Sequence, residues 1–245
     1  MNAGTDGEKK IRIGKLLARA GIAPRRATAS FLEEHDVRID GIRITELNHA
    51  VAEETLGSLK LTVDGKPVTL VTDDVVLLFH KPKGVVCSHR TQKIRGKELK
   101  TIFDFLPAEY GTWFFAGRLD VSSSGLMVLS NDGDHIFGLS HPKHGVLKKY
   151  FVRTSRPLSP ADITRAEKGV MDKGEKLKFE KVIPQSKPAH YEIHLKEGKN
   201  REIRRILERL GVFARELVRT ELGPYLLEGI DPGKFSKAPR APLTF

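Results

Sequence analysis

Only one cysteine, Cys87, occurs among the 245 residues. A single thiol excludes an internal disulfide and any metal site built on clustered cysteines. Cys87 is expected instead to be a small buried apolar residue. Long apolar runs are also lacking. No stretch reaches the roughly eighteen consecutive apolar residues of a membrane span. Residues 1–10 have no apolar signal core, so they read as a disordered tail and the chain as cytoplasmic, with no membrane partner. There is no Walker loop and no dinucleotide fingerprint. The nine histidines are scattered, and His141 and His144, which share a loop, read as surface groups rather than ligands. Neither a metal nor a cofactor is expected. Acidic residues are the minority: 31 Asp and Glu stand against 42 Lys and Arg, a net charge of +11. Such a surplus steers polyanions to a surface and gains from release of their condensed counterions, without by itself separating RNA from DNA or from an anionic membrane.

A hydrophobic content of 39% suffices for a packed core. Ile13, Leu16, Leu17 and Ala20 recur at the spacing of one helix face, and Gly21 ends that helix. Pro24 suits the first turn of a second helix running to about His35. Two Asp-Gly pairs follow, Asp40-Gly41 and Asp64-Gly65, each beside alternating apolar residues, which predicts hairpins. Residues 11–70 thus form a small domain of two helices and short strands. Thr72, Asp73 and Asp74 make the junction to a second domain over residues 75–245. Its predicted strands are Val75–Phe79, Phe114–Gly117, Leu126–Ser130, Lys149–Thr154, Glu180–Ile183 and Ala189–Leu195. Its predicted helices begin after Ser159-Pro160 and at Asn200. The fold class is α+β, with a mixed, mainly antiparallel sheet in the second domain.

The helical side of the first domain is densely basic, with Lys15, Arg19, Arg25 and Arg26 close together and Arg38 on the following strand. A surface of one sign on both helices of a basic chain points to nucleic acid. The run from Arg12 to Ala27, followed by a helix and Val37-Arg38-Ile39-Asp40-Gly41, resembles the S4 domain, a small RNA-binding module of alpha-L type, over about Ile11 to Asp64. Gly14 stands where that pattern usually has Asn or Asp, and Pro24 where Ser is frequent.

The stretch Gly117-Arg118-Leu119-Asp120, continuing through Val121-Ser122-Ser123-Ser124-Gly125 to Asn131-Asp132-Gly133, is an acid in a small-residue polar loop that runs into an apolar strand. On spacing alone, Asp120 is either a turn aspartate bonding its own backbone or a carboxylate presented at a cleft. The seventeen consecutive positions resemble the active-site signature of the RsuA-type family of ribosomal RNA pseudouridine synthases, whose members carry an S4 domain ahead of the enzyme domain. The resemblance extends to His80–Val86, where His80 replaces an Asn, to Lys148–Val152, and to Glu197–Arg205, where Glu202 replaces a Gln.

The resemblance implies an enzyme without cofactor that isomerises a uridine of ribosomal RNA to pseudouridine, with Asp120 as the catalytic carboxylate. It places Arg118, Tyr150, Arg204 and Leu217 in the substrate pocket. The apolar stripe Ile203, Ile206, Leu207 and Leu210 predicts a buried helix face with Arg204 beside it, where a cation can reach the carboxylate. Tyr150 offers a ring on which an extruded base can stack. Lys199, Arg201 and Arg205 join the basic residues of the first domain as phosphate contacts. The expected partner is ribosomal RNA or a ribosome-assembly intermediate, and the expected state a monomer. The target lies in 23S or 16S RNA, the match over Gly198–Leu210 favouring the large subunit. Two rival readings are a non-catalytic RNA-binding factor and a synthase acting on transfer RNA.

Overall fold

The structure is a computed structural model that describes residues 10–70, 73–88, 91–94, 96–107 and 112–243. The tail expected over residues 1–10 lies outside the described residues except for Lys10, which belongs to a strand. Thr72 of the expected junction lies outside them as well. The chain divides into two compact units, one ending at Asp74 and the other beginning at Val75, with Trp113 grouping with the first.

The first unit contains β1 (Lys10–Arg12), α1 (Ile13–Arg19), α2 (Thr28–Glu34), β2 (Val37–Ile39), β3 (Ile42–Arg43), β4 (Ala50–Ala52), β5 (Leu61–Val63) and β6 (Lys66–Val68). Strands β3, β2, β5 and β6 form one sheet in that order, and β1 pairs with β4. Both Asp-Gly pairs turn as expected. Asp40 and Gly41 have φ of 49° and 83°, Asp64 and Gly65 of 51° and 74°, the sign that primed hairpin turns require. Ile13, Leu16, Leu17, Leu32, Val37, Ile39 and Leu61 form the core. The second helix is shorter than its sequence implied. Pro24 stays extended, a 3-10 turn spans Arg25–Ala27, and α2 starts only at Thr28. The Thr28 hydroxyl donates to the Arg25 carbonyl, holding that turn (2.9 Å). Gly14 lies close to α2: a Cβ there would lie 2.7 Å from Thr28 Oγ1, so a side chain at this position would have to displace the threonine hydroxyl.

The second unit holds β7 (Val76–Lys81), β8 (Gln92–Ile94), β9 (Lys97–Leu99), β10 (Phe114–Phe115), β11 (Ser124–Ser130), α3 (Gly133–Ser140), β12 (Lys148–Thr154), α4 (Pro160–Lys168), β13 (Val170–Asp172), β14 (Glu175–Leu177), β15 (Lys181–Pro184), β16 (His190–Leu195), α5 (Glu202–Arg209), β17 (Ala214–Leu222), β18 (Tyr225–Leu226) and β19 (Phe235–Ala238). Among the described residues a nine-stranded sheet runs β15-β16-β12-β17-β11-β7-β19, with β10 paired to β11 and β18 to β17. Every pairing in it is antiparallel except β11 with β17. That is the mixed, mainly antiparallel sheet the sequence implies. Strand β11 is buried on both faces, as a continuous apolar run in a central strand should be. Among the described residues no helix is long and apolar enough to cross a membrane.

Two features of this sheet set up the site. Gly125 on β11 has φ of 115° and pairs with Arg219 of β17; a Cβ at Gly125 would lie 2.3 Å from the Arg219 backbone nitrogen. The parallel crossing therefore needs glycine at this point. On the other side of β17, the register against β12 shifts between Lys149 and Tyr150, so that Lys149 faces Glu221 but Tyr150 faces Arg219. Such an irregularity re-aims the side chain beside it.

Candidate active site

Asp120 sits in the loop between β10 and β11. The loop is tied down at several backbone points: Ser123 N–H donates to the Asp120 carbonyl (3.0 Å), and Gly84 N–H to the Val121 carbonyl (2.8 Å). Leu119 N–H points at Cys87 Sγ (3.5 Å). The expected burial of Cys87 holds, and burial pushes its thiol up. Lys81, wholly buried at the end of β7, donates to the carbonyls of Ser123 (2.8 Å) and Pro82 (3.0 Å). Burial pushes its ammonium down to about 8, while the charge of Asp120 acts in the opposite direction.

Two guanidinium groups meet the Asp120 carboxylate. Arg201 Nη1 donates to Oδ2 at 3.3 Å, and Arg204 Nε lies 3.5 Å from the same oxygen. The second contact is an ion pair rather than a hydrogen bond, for Arg204 Nε has no hydrogen-bond partner among the described residues. The rest of the Arg204 fork is held by Ser123 Oγ (3.1 Å) and the Ala214 carbonyl (3.3 Å). Burial lowers the pKa of Arg204 and the Asp120 charge opposes that. Arg201 starts α5 with φ of 51°, a left-handed conformation uncommon for a residue with a side chain. The helix itself forms as its sequence stripe implies: Ile203, Ile206, Leu207 and Leu210 are buried.

Tyr150 on β12 and Leu217 on β17, both buried, line the same pocket as the carboxylate. Leu119 adds to this apolar lining, while Arg118, Asp120, Lys199, Arg201, Glu202 and Arg204 supply the charged groups. The pocket volume is about 70 Å³. All five residues assigned to the catalytic carboxylate and substrate pocket, Asp120, Arg118, Tyr150, Arg204 and Leu217, line this one pocket, together with Lys199 and Arg201.

Other sequence-predicted residues lie elsewhere. Arg205 does not line the pocket; its guanidinium is engaged by Asp172 and Glu175, tying α5 to the β13–β14 hairpin. Arg19 is buried and paired with Asp74 (3.0 Å), which corrects its place among exposed phosphate contacts. Arg38 pairs with Asp36 at the surface, Arg25 and Arg26 are exposed, and Lys15 is half-buried on α1. Three contributors went unassigned in the sequence. Lys81 sits in the His80–Val86 block, where a lysine inside an apolar strand was the available signal. Ser123 is one more serine in a serine run, and nothing marks it out. Glu202 was noted only as a departure: it is buried and accepts the Lys199 N–H (3.0 Å), closing the loop that carries Arg201. A Gln could accept the same bond. Burial raises the Glu202 pKa, while the nearby charges of Lys199 and Lys148 oppose that.

A family model described as RNA pseudouridylate synthase matches residues 75–209. The chain is 32% identical over 228 residues, 89% of its own length and 63% of the relative's, to the Ribosomal large subunit pseudouridine synthase B of Pasteurella multocida (strain Pm70). It is 32% identical over 220 residues to the proteins of that name from Yersinia pestis, covering 67% of the relative, and Escherichia coli (strain K12), covering 73%. The chain thus spans about two thirds of the length of these relatives. Among solved structures, a pseudouridylate synthase crystal structure superposes with a TM-score of 0.64 at 22% identity, covering 94% of this chain and 96% of the other.

Proposed function

The chain belongs to the RNA pseudouridylate synthase family, and from that premise we propose that it isomerises a specific uridine of ribosomal RNA to pseudouridine with Asp120 as the catalytic carboxylate. The observation that carries this proposal is the pocket itself. It brings the Asp120 carboxylate, ion-paired to Arg201 and Arg204, into one pocket with an aromatic ring and a leucine. The reaction breaks the N1–C1′ bond, turns the uracil and joins C5 to C1′; the C5 hydrogen leaves to solvent and N1 takes up a proton. The uridine must leave its stack to turn, and Tyr150 and Leu217 supply the surface that receives it. Asp120 acts at the sugar. Arg201 and Arg204 hold its carboxylate in place, and Lys81 anchors the loop from below through Ser123. Incubating the protein with unmodified 16S and 23S RNA and mapping new pseudouridine tests the proposal and names the target; the name of the relatives favours the large subunit.

Replacing Arg204 with Lys keeps the charge and loses the fork that holds Ser123 Oγ and the Ala214 carbonyl. A lysine cannot reproduce such planar recognition, so kcat should fall by about tenfold to a hundredfold with a smaller change in KM. An unchanged kcat would remove Arg204 from the mechanism.

The first unit serves as the S4-like RNA-binding module, supported by exposed Arg25 and Arg26 and by the two-helix and hairpin layout. Charge reversal of both arginines should weaken binding to ribosomal RNA and reduce the salt-dependence slope by about two, one for each lost phosphate contact. Unchanged affinity and slope would overturn the role given to this unit. The enzyme acts as a monomer in the cytoplasm.

A further inference from the structure

A second cavity of about 400 Å³ adjoins the candidate active pocket and shares Arg118, Tyr150, Gly198 and Lys199 with it. Its lining holds five cations, Arg118, Lys148, Lys196, Lys199 and Arg219, against one acid, Glu197. That acid is already paired with Lys199 (2.9 Å). Two of the cations are buried beneath the cavity, Arg219 at 1% exposure and Lys148 at 8%. Neither has a carboxylate within ion-pairing distance among the described residues. Lys148 Nζ donates to the carbonyls of Val146 and Lys196, both at 2.9 Å, which leaves a third N–H unused. Arg219 Nε donates to the Leu126 carbonyl (2.7 Å) and Nη2 to the Ala116 carbonyl and Met127 Sδ (both 3.3 Å), while Nη1 has no hydrogen-bond partner among the described residues. Buried charges are costly unless paired, and a buried cation usually has an anion beside it.

The sheet explains why both cations reach one place. Lys148 and Tyr150 lie two residues apart on β12 and so share a face, and Tyr150 pairs with Arg219 across the irregular register. The ring that faces the active pocket therefore has Lys148 along its own strand and Arg219 on the next. Burial together with the Arg219 charge pushes the Lys148 ammonium down to about 8, although Glu202 and Glu197 pull the other way. An anion in the cavity would relieve that repulsion.

We propose that this cavity is a phosphodiester subsite, in which Lys148 and Arg219 hold the phosphate of a nucleotide flanking the target uridine. This rests on the function proposed above and assigns the second cavity to the same RNA strand. Anchoring the strand on the far side of Tyr150 would hold the sugar still while the base turns in the first pocket.

Ser140 lies exposed at the end of α3 and lines the cavity mouth, so it can be changed without disturbing the buried cations. The test compares Ser140→Glu with Ser140→Gln in tritium release from ribosomal RNA labelled at uridine C5, each with and without millimolar inorganic phosphate. The glutamate should raise KM by about fivefold relative to glutamine, the size of one added repulsion at a partly screened site. The change in kcat should be smaller, and the difference should shrink as salt rises. Equal KM values in two active variants would overturn the subsite while leaving the proposed activity standing. Equal KM values combined with phosphate inhibition of the glutamine variant alone would also overturn it, by giving the cavity to a free anion. No tritium release from the parent protein would instead sink the function proposed above, and the subsite with it.

Discussion

Asp120→Asn should bind ribosomal RNA at least as tightly as the parent and turn it over at least about a thousandfold more slowly. The substitution preserves shape and removes one negative charge. In a pocket lined by Arg118, Arg201 and Arg204, that charge opposes the RNA backbone, so losing it should strengthen binding slightly. Its chemistry has no substitute, since an amide is neither a carboxylate nucleophile nor a base. Arg201 and Arg204 would also lose the ion pairs, at 3.3 and 3.5 Å, that hold them at this oxygen. Single-turnover rates with saturating protein, set beside fluorescence anisotropy with labelled RNA, separate the two effects. A variant keeping a tenth of the parent rate would mean that another group does the chemistry.

The second large effect is structural. Gly125→Ala should lower stability by about 4 kcal/mol or more, a large share of what a domain of this size has in total. The added Cβ would lie 2.3 Å from Arg219 N and 2.4 Å from Arg219 O, atoms that cannot move without breaking the parallel pairing of β11 with β17. The φ of 115° adds strain of its own. Gly117→Ala is the comparison. There φ is 68° and the nearest atom is Arg219 Nη1 at 3.3 Å, a side-chain end rather than backbone. Thermal unfolding should show Gly125→Ala lowered by about 10 °C or more, or accumulating as unfolded protein, and Gly117→Ala lowered less. If the two variants melt together, the close crossing at Gly125 does not matter as described.

Much of this architecture can be read from local pattern. The Asp-Gly turns, the α1 stripe and the α5 stripe each carry their structure within about ten residues, and the structure forms them where the pattern lies. The strand β17 was not foreseen, and the reason is physical. Its sequence from Ala214 to Leu222 puts Arg219 at an inward position, and a buried arginine reads as a surface residue until the carbonyls of Leu126 and Ala116 that receive it are in view. Helix α3 was missed because two glycines, Gly133 and Gly138, weaken its pattern. Only the Asp132 cap, which accepts the Asp134 N–H (2.9 Å), marks its start.

The site divides in the same way. Asp120, Tyr150 and Arg204 were named from motif resemblance, and the sheet brings them to one pocket. Nothing local showed that Arg201 would reach Asp120 more closely than Arg204 does, since that depends on the left-handed turn at Arg201. Nor could a sequence show that Arg205, one residue further on, points to Asp172 instead. Adjacent positions on a helix diverge by about 100°, and which of them faces the loop is decided by packing.

The measurement that bears most directly on the proposed function is tritium release from unmodified ribosomal RNA labelled at uridine C5. Joining C5 to C1′ must expel that hydrogen. The expected result is release by the parent protein that plateaus near one equivalent per RNA molecule, from one subunit's RNA, and none above background with Asp120→Asn. RNA that is bound by the parent protein, naked or partly assembled, from both subunits, and yet never loses tritium would contradict it.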